Sequence, residues 1–274
     1  MDTTGYAFVT GGASGIAKAV CVALAKSGAR GILVADINLK GADQTVKDCQ
    51  ASSKNADFHA EAIEMDVTVE NSVKAAIQRM LKVFGRIDYC INGAGILAEY
   101  ASVNDASLES FRRTIDINVQ GTFLVLRAAA TAMASQKSIL IDPTLPQRGL
   151  TRGSIVTLGS IASFIALPKG APYVAAKHAV AGLTKSAAMD NIANNIRVNC
   201  VCPSFVDTTM MRGLFELAPS MKQTMENGLP MGRLALPEEV ADLILFLCSP
   251  RSSYINGGIF TVDGALTIGP HANV

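Results

Sequence analysis

Tyr6-Ala7-Phe8-Val9-Thr10-Gly11-Gly12-Ala13-Ser14-Gly15-Ile16-Ala17-Lys18-Ala19-Val20-Cys21-Val22-Ala23-Leu24 changes character halfway along. Residues 6–10 form a short apolar run that reads as a buried strand. From Ile16 onward the pattern is helical and ends near Gly28. Between them lies a turn rich in glycine. A strand, such a turn and a helix N-terminus together make a site for a pyrophosphate. The glycines let the backbone approach closely, and the helix offers unpaired N–H groups at its positive dipole end. Gly11, Ser14, Gly15 and Ile16 are therefore candidate contacts for a nucleotide.

A second apolar strand, Gly31-Ile32-Leu33-Val34-Ala35, ends in Asp36, 21 residues after Gly15. An acidic residue at that distance accepts hydrogen bonds from the adenosine ribose hydroxyls of NAD. It repels the 2′-phosphate of NADP, and neither Ile37 nor Asn38 supplies a cation to reverse that. The expected cofactor is NAD rather than NADP, with Ile37 beside Asp36 in the site. A plain βαβ unit with a tight turn and a capping or solvated aspartate is the bland alternative for the same residues.

Far downstream stands Tyr173-Val174-Ala175-Ala176-Lys177, preceded thirteen residues earlier by Ser160. On a helix, residues four apart share a face, about 6 Å apart along the axis. The lysine charge favours the phenolate and draws the phenol down from about 10 toward working pH. Tyr173 is then a proton donor and acceptor for an alcohol/ketone pair, with Ser160 holding the same oxygen. The spacing alone is weak, since such pairs arise by chance on exposed helices. Its weight comes from the nucleotide turn upstream.

With both ends in view, the chain resembles a short-chain dehydrogenase/reductase over about residues 5–267. Thr10, Gly11 and Gly15 match that family's Thr-Gly-x-x-x-Gly-x-Gly turn, and Asp66-Val67 its adenine-contacting pair. Asn92-Gly93-Ala94-Gly95 stands for its Asn-Asn-Ala-Gly turn. Asn118, Ser160, Tyr173 and Lys177 match its catalytic residues, and Pro203-Ser204, Val206 and Thr208 its late cofactor segment. The resemblance implies that Tyr173 is the acid/base and that Lys177 also grips the nicotinamide ribose. It further implies that Ser160 orients the substrate oxygen and that Asn118 holds a water linking the lysine to solvent. Three departures stand out: Ala17 for the third turn glycine, Gly159 for a frequent serine, and Ser204 for the glycine after Pro203. None removes a reacting group.

Composition agrees with one domain. At 274 residues and 28.7 kDa the chain can bury one large core, and 49% hydrophobic residues suit a sheet covered on both faces. The reading is a single doubly wound α/β (Rossmann-like) domain over residues 1–274, with a mostly seven-stranded parallel sheet and helices on both faces. A net charge of +1 gives no electrostatic case for nucleic acid or an anionic membrane. No apolar run approaches the roughly 20 residues of a spanning helix. Met1-Asp2-Thr3-Thr4 leads straight into the first strand, so no signal peptide is expected and the protein reads as cytoplasmic.

The six cysteines, at 21, 49, 90, 200, 202 and 248, and the histidines at 59, 178 and 271 show no metal-binding spacing. Cys200 and Cys202 share a face of a strand and read as small buried hydrophobes. His178 is turned about 100° from Lys177 and reads as packing or surface. Other expected strands are 58–65, 87–91, 154–158, 196–202 and 259–262; expected helices are 70–84, 108–134, 171–194 and 237–248.

Two segments stand apart. Residues 136–152, with two prolines, read as an exposed loop, with an interface or lid as the other reading. Residues 204–228, following a strand's carboxyl end, read as a substrate lid carrying Met210, Met211, Leu214, Phe215 and Met221. An amphipathic helix merely packed on the body is the alternative there. With the apolar stretch from Phe164 to Pro168, the lid suggests a bulky, largely apolar secondary alcohol or ketone, terpenoid, steroid-like or polyketide. The insertion before strand five resembles those of fungal members that tailor secondary metabolites. A small polar alcohol, a sugar derivative and a fatty acyl ketone stay open. So do a cofactor-retaining isomerase, dehydratase or epimerase, and a non-catalytic nucleotide-binding protein. The resemblance also implies a homotetramer or homodimer.

Overall fold

The computed structural model describes residues 3–217 and 219–269; His271 lies outside them. In chain order the elements are β1 (Tyr6–Thr10), α1 (Gly15–Lys26), β2 (Gly31–Asp36), α2 (Leu39–Ser52), β3 (His59–Glu64), α3 (Glu70–Phe84) and β4 (Tyr89–Asn92). Then come α4 (Leu108–Ile115), α5 (Thr122–Ser135), β5 (Ile139–Leu140), β6 (Leu150–Thr151), β7 (Gly153–Leu158) and α6 (Ala171–Asp190). The last are β8 (Ile196–Pro203), α7 (Thr209–Leu217), α8 (Pro219–Gly228), α9 (Pro237–Cys248) and β9 (Ile259–Val262).

A seven-stranded sheet runs β3-β2-β1-β4-β7-β8-β9, every neighbouring pair parallel. Successive strand residues face opposite sides, and both sides are covered. Val9, Val34, Ile91, Val156 and Val201 pack with Val20 and Leu24 of α1 and with Val240 and Ile244 of α9. Phe8, Leu33, Cys90, Ile155 and Val198 pack on the other side with Ile77 and Met80 of α3 and Val125 and Met133 of α5. The near-continuous apolar strands thus have their physical reason in a sheet buried on two faces. The expected doubly wound architecture is the one observed.

Three local expectations are corrected. The helix read as continuous over 108–134 is interrupted by a π turn at Asp116–Gly121, centred on Asn118. The helix expected to run to 194 ends at Asp190, followed by a short 3₁₀ turn over Ile192–Asn194. Residues 136–152 are more than a loop, because β5 and β6 pair as a small antiparallel hairpin. Arg152 donates to the carbonyls of Gln136 (3.0 Å) and Asn194 (3.1 Å), and Arg148 to that of Pro250 (2.8 Å). This hairpin leads into the amino end of β7, whereas ligands in such sheets bind at carboxyl ends, so it is no lid over the site. Among the described residues no helix is long and apolar enough to cross a membrane.

Ile91, in the middle of the sheet and fully buried, reports on this core. Ile91→Ala is expected to lower the unfolding free energy in a urea titration by about 2–5 kcal/mol. A loss under about 1 kcal/mol contradicts its place between the layers.

Candidate active site

The strand order reverses between β1 and β4: the chain leaves β1 toward one face and β4 toward the other, which opens a crevice at their carboxyl ends. One hydroxyl ties the diverging turns together. Thr10 Oγ1 accepts from the backbone N–H of Gly93 (3.1 Å) and Ala94 (3.3 Å). Gly11 sits with φ +72, and a Cβ there would lie 2.8 Å from the Ala94 backbone, so only glycine fits. Ser14 occupies the N-cap of α1 without a side-chain cap, and the first turn carries no acidic residue. Its N–H groups and positive end are thus left to an anion. Gly15, at φ +56, lies against Thr208, whose Oγ1 accepts from Met211 N (3.3 Å) at the start of α7.

A cavity of about 650 Å³ occupies this crevice. The expected residues Gly11, Ser14, Gly15 and Ile16 line it, as do Asp36, Ile37, Asp66, Val67, Gly93, Ala94 and Gly95. Ser160, Tyr173, Lys177, Pro203, Val206 and Thr208 line it too. Asn92 and Asn118 do not: both are buried behind its wall, at 2% and 1% exposure. Asn92 donates to the Thr122 carbonyl (2.9 Å).

The nucleotide end is defined by carboxylates. Asp36 accepts from Ala13 N and Asn38 N, each at 2.9 Å, so the end of β2 is bonded to the glycine turn. Asp66 uses one oxygen, Oδ1, for Thr68 N (2.8 Å) and Thr68 Oγ1 (2.7 Å), which leaves Oδ2 for an adenine amino group. Val67 packs against Gly121 of the π turn, where a Cβ would come within 2.7 Å of it. The residues present fit a dinucleotide.

At the other end stand the candidate reacting groups. Lys177 is 7% exposed, donates to the Leu158 carbonyl (2.8 Å), and holds its ammonium 5.5 Å from the centre of the Tyr173 ring. The Tyr173 hydroxyl makes no hydrogen bond to a described residue. Ser160 Oγ accepts from Ala162 N (3.2 Å), which leaves its own proton free to donate. Ser163 Oγ accepts from Ser160 N (3.3 Å) and donates to the Lys177 carbonyl (2.7 Å), joining the serine strap to α6. Asn118 spends its amide on Ile96, accepting from its N–H (2.8 Å) and donating to its carbonyl (2.9 Å). His178 bonds the Val174 carbonyl (3.0 Å) and lies outside the cavity.

Phe205, Met210 and Met211 also wall the cavity, as does Met225 of α8. Met211 and Phe215 pack with Leu229 and Leu234 in a small core of their own. The side chains of Leu214 and Met221 lie outside the described ones. Sequence reasoning missed the segment after Gly95, which supplies Leu97, Glu99 and Tyr100. The signal was its position at the carboxyl end of β4, directly after a nucleotide turn.

Beneath Ser160, Cys200 and Cys202 have their sulfurs 3.6 Å apart. The hydrogen bond between them makes Cys200 more acidic than an ordinary thiol, helped by Thr157 and the Lys177 charge against burial; the same bond and burial raise Cys202. A Cβ at Gly159 would stand 2.5 Å from Cys202 Sγ and 2.8 Å from Cys200 Sγ. Glycine replaces the family's frequent serine because the sulfurs fill that space. Gly159→Ala is expected to lower turnover by about tenfold or more through displacement of Ser160, and Cys202→Ala in the same chain to restore most of it. Unchanged rates in the single variant contradict this packing.

Comparison with known proteins gives the same picture. A family profile described as "Enoyl-(Acyl carrier protein) reductase" matches residues 11–267. Short-chain dehydrogenase fogB of Aspergillus ruber is 47% identical, over 98% of both chains. Cyclohexanol dehydrogenase of an Acinetobacter species is 34% identical over 95% of this chain and 94% of its own. The crystal structure of levodione reductase superposes with a TM-score of 0.88 at 25% identity, covering 98% of this chain and all of the other.

Proposed function

The chain belongs to the short-chain dehydrogenase/reductase family, and from that premise we propose that it interconverts a secondary alcohol and a ketone with NAD(H). The observation that carries the reading is Tyr173: a phenol with no hydrogen bond to a described residue, lining the cavity, beside a buried ammonium. In the oxidation direction Tyr173 takes the hydroxyl proton; in reduction it returns one. Lys177 stabilises the negative charge that develops on the phenol oxygen, and its remaining N–H groups hold the nicotinamide ribose. Ser160 donates its free proton to the substrate oxygen and fixes it against Tyr173. Asn118 holds the Gly95–Ile96 backbone against the ammonium, beside the path of a water relay from Lys177 to solvent. When bound, NAD supplies the hydride acceptor, and NADH the donor.

Asp36 supports NAD over NADP, since its carboxylate stands at the ribose end with the apolar Ile37 next to it. Phe205, Met210, Met211, Leu97 and Leu167 support a bulky, largely apolar substrate. Cyclohexanol dehydrogenase, by its name, handles a ring alcohol; a place in secondary-metabolite tailoring rests on the resemblance of the insertion before strand five to fungal members, and the proposed location is the cytoplasm. Exposed Leu108 and Phe111 on α4 and Phe123 on α5 support a homodimer or homotetramer built on these helices.

Tyr173→Phe is expected to lower kcat by about a thousandfold or more while NADH affinity holds within about twofold, read by nicotinamide absorbance and by titration. Turnover near that of the native enzyme sinks the assignment. Asp36→Ala is expected to narrow the NAD-to-NADP ratio of kcat/KM; an unchanged ratio removes the ribose role.

A further inference from the structure

The cavity is also lined by two stretches that the catalytic account does not use. One follows Gly95 and carries Tyr100; the other, 164–170, leads from the Ser160 strap into α6. They are joined by backbone: Ala101 N donates to the Lys169 carbonyl (3.2 Å), and Ala101 bridges Gly170. Lys169 adopts φ +58, a left-handed conformation that a residue with a Cβ seldom takes. Its ammonium lies 5.2 Å from the centre of the Tyr100 ring, within cation–π reach. Backbone and ring together keep the charge at the rim.

The charges lining the cavity are unequally used. Asp36 and Asp66 are bonded as described, and Glu99 accepts from Ser107 N (3.3 Å) and Ser107 Oγ (3.0 Å). Lys169, and Arg113 of α4, line the same cavity, and their side chains make no hydrogen bond or ion pair to a described residue. The phosphates of a dinucleotide are met by the glycine turn and α1, whereas Lys169 stands four residues before Tyr173, at the substrate end. An exposed cation at the rim of a largely apolar cavity, whose three lining carboxylates are hydrogen-bonded to other groups, is suited to an anion brought by the substrate.

We infer that the substrate carries a carboxylate remote from the carbon that exchanges hydride, and that Lys169 recognises it as a specificity residue. The inference rests on the dehydrogenase reading above and names the substrate class within it: an apolar ring or chain with the carbinol at one end and an acidic group at the other. Lys169 touches no reacting atom. Its effect falls on KM, and salt weakens it.

The test pairs an acid with its neutral isostere. Cyclohexanecarboxylate and cyclohexanecarboxamide are titrated calorimetrically into the enzyme saturated with NADH; oxocyclohexanecarboxylate and its carboxamide are compared as substrates. The native protein is expected to prefer the acid by about tenfold, in affinity and in KM, with similar kcat. Lys169→Asn, which tolerates the left-handed backbone, abolishes the preference; Lys169→Arg keeps it. Neither changes NADH affinity, and added salt erodes the native preference. Equal binding of acid and amide, no binding of the acid, a preference that survives Lys169→Asn, or weakened NADH binding in that variant each overturns the inference. The two readings fail separately: if no ketone is reduced while the acid is still preferred in binding, the dehydrogenase reading falls and the anion site stands.

Discussion

An ammonium ion taken out of water is costly unless other groups replace its hydration, and the site is arranged around one such ion. Lys177 gives one N–H to the Leu158 carbonyl at the end of β7 and lies under the Tyr173 ring. Gly95 passes close by because it has no side chain: a Cβ there would stand 3.0 Å from Asn118 Oδ1 and 3.8 Å from the ammonium. Ser163 reaches from the Ser160 strap to the Lys177 carbonyl. The cation's position therefore constrains β7, the turn after β4, the strap and the first turns of α6 together. Among the described residues its ammonium has no second hydrogen-bond partner, and Lys177 lines the cavity.

Two departures from the family pattern, Ala17 and Gly159, are closely packed against a neighbour. Ala17 adds a methyl where α1 meets the sheet, and Gly93, where the family has asparagine, leaves room opposite it: a Cβ at Gly93 would come within 3.1 Å of the Ala17 methyl and 2.9 Å of the Thr10 carbonyl. Gly159 and Cys202 are related in the same way beneath Ser160. In each case the glycine leaves the room that its neighbour's side chain fills, as a close-packed interior requires.

Much of this was legible in the chain. The glycine turn, Asp36 and the Tyr173/Lys177 spacing are local patterns whose meaning needs only a strand before and a helix after, so their residues fall together in the cavity. What was not legible depends on contacts distant in sequence. The π turn around Asn118 accompanies a side chain engaged with Ile96 and a glycine, Gly121, pressed on Val67; neither contact has a signature in residues 108–134. The hairpin within residues 136–152 is held by Arg148 and Arg152 reaching carbonyls of residues 250 and 194. The rim formed by Tyr100 and Lys169 joins two loops that nothing in their composition connects.

The most direct measurement is a crystal structure of the native protein with NADH. The account predicts the adenosine ribose on Asp36, the pyrophosphate over Gly11–Ile16, the nicotinamide ribose on Lys177, and the nicotinamide ring in contact with the open space before the Tyr173 hydroxyl. A nicotinamide turned away from Tyr173, or a phenol pointing out of the crevice with the cofactor bound, contradicts it.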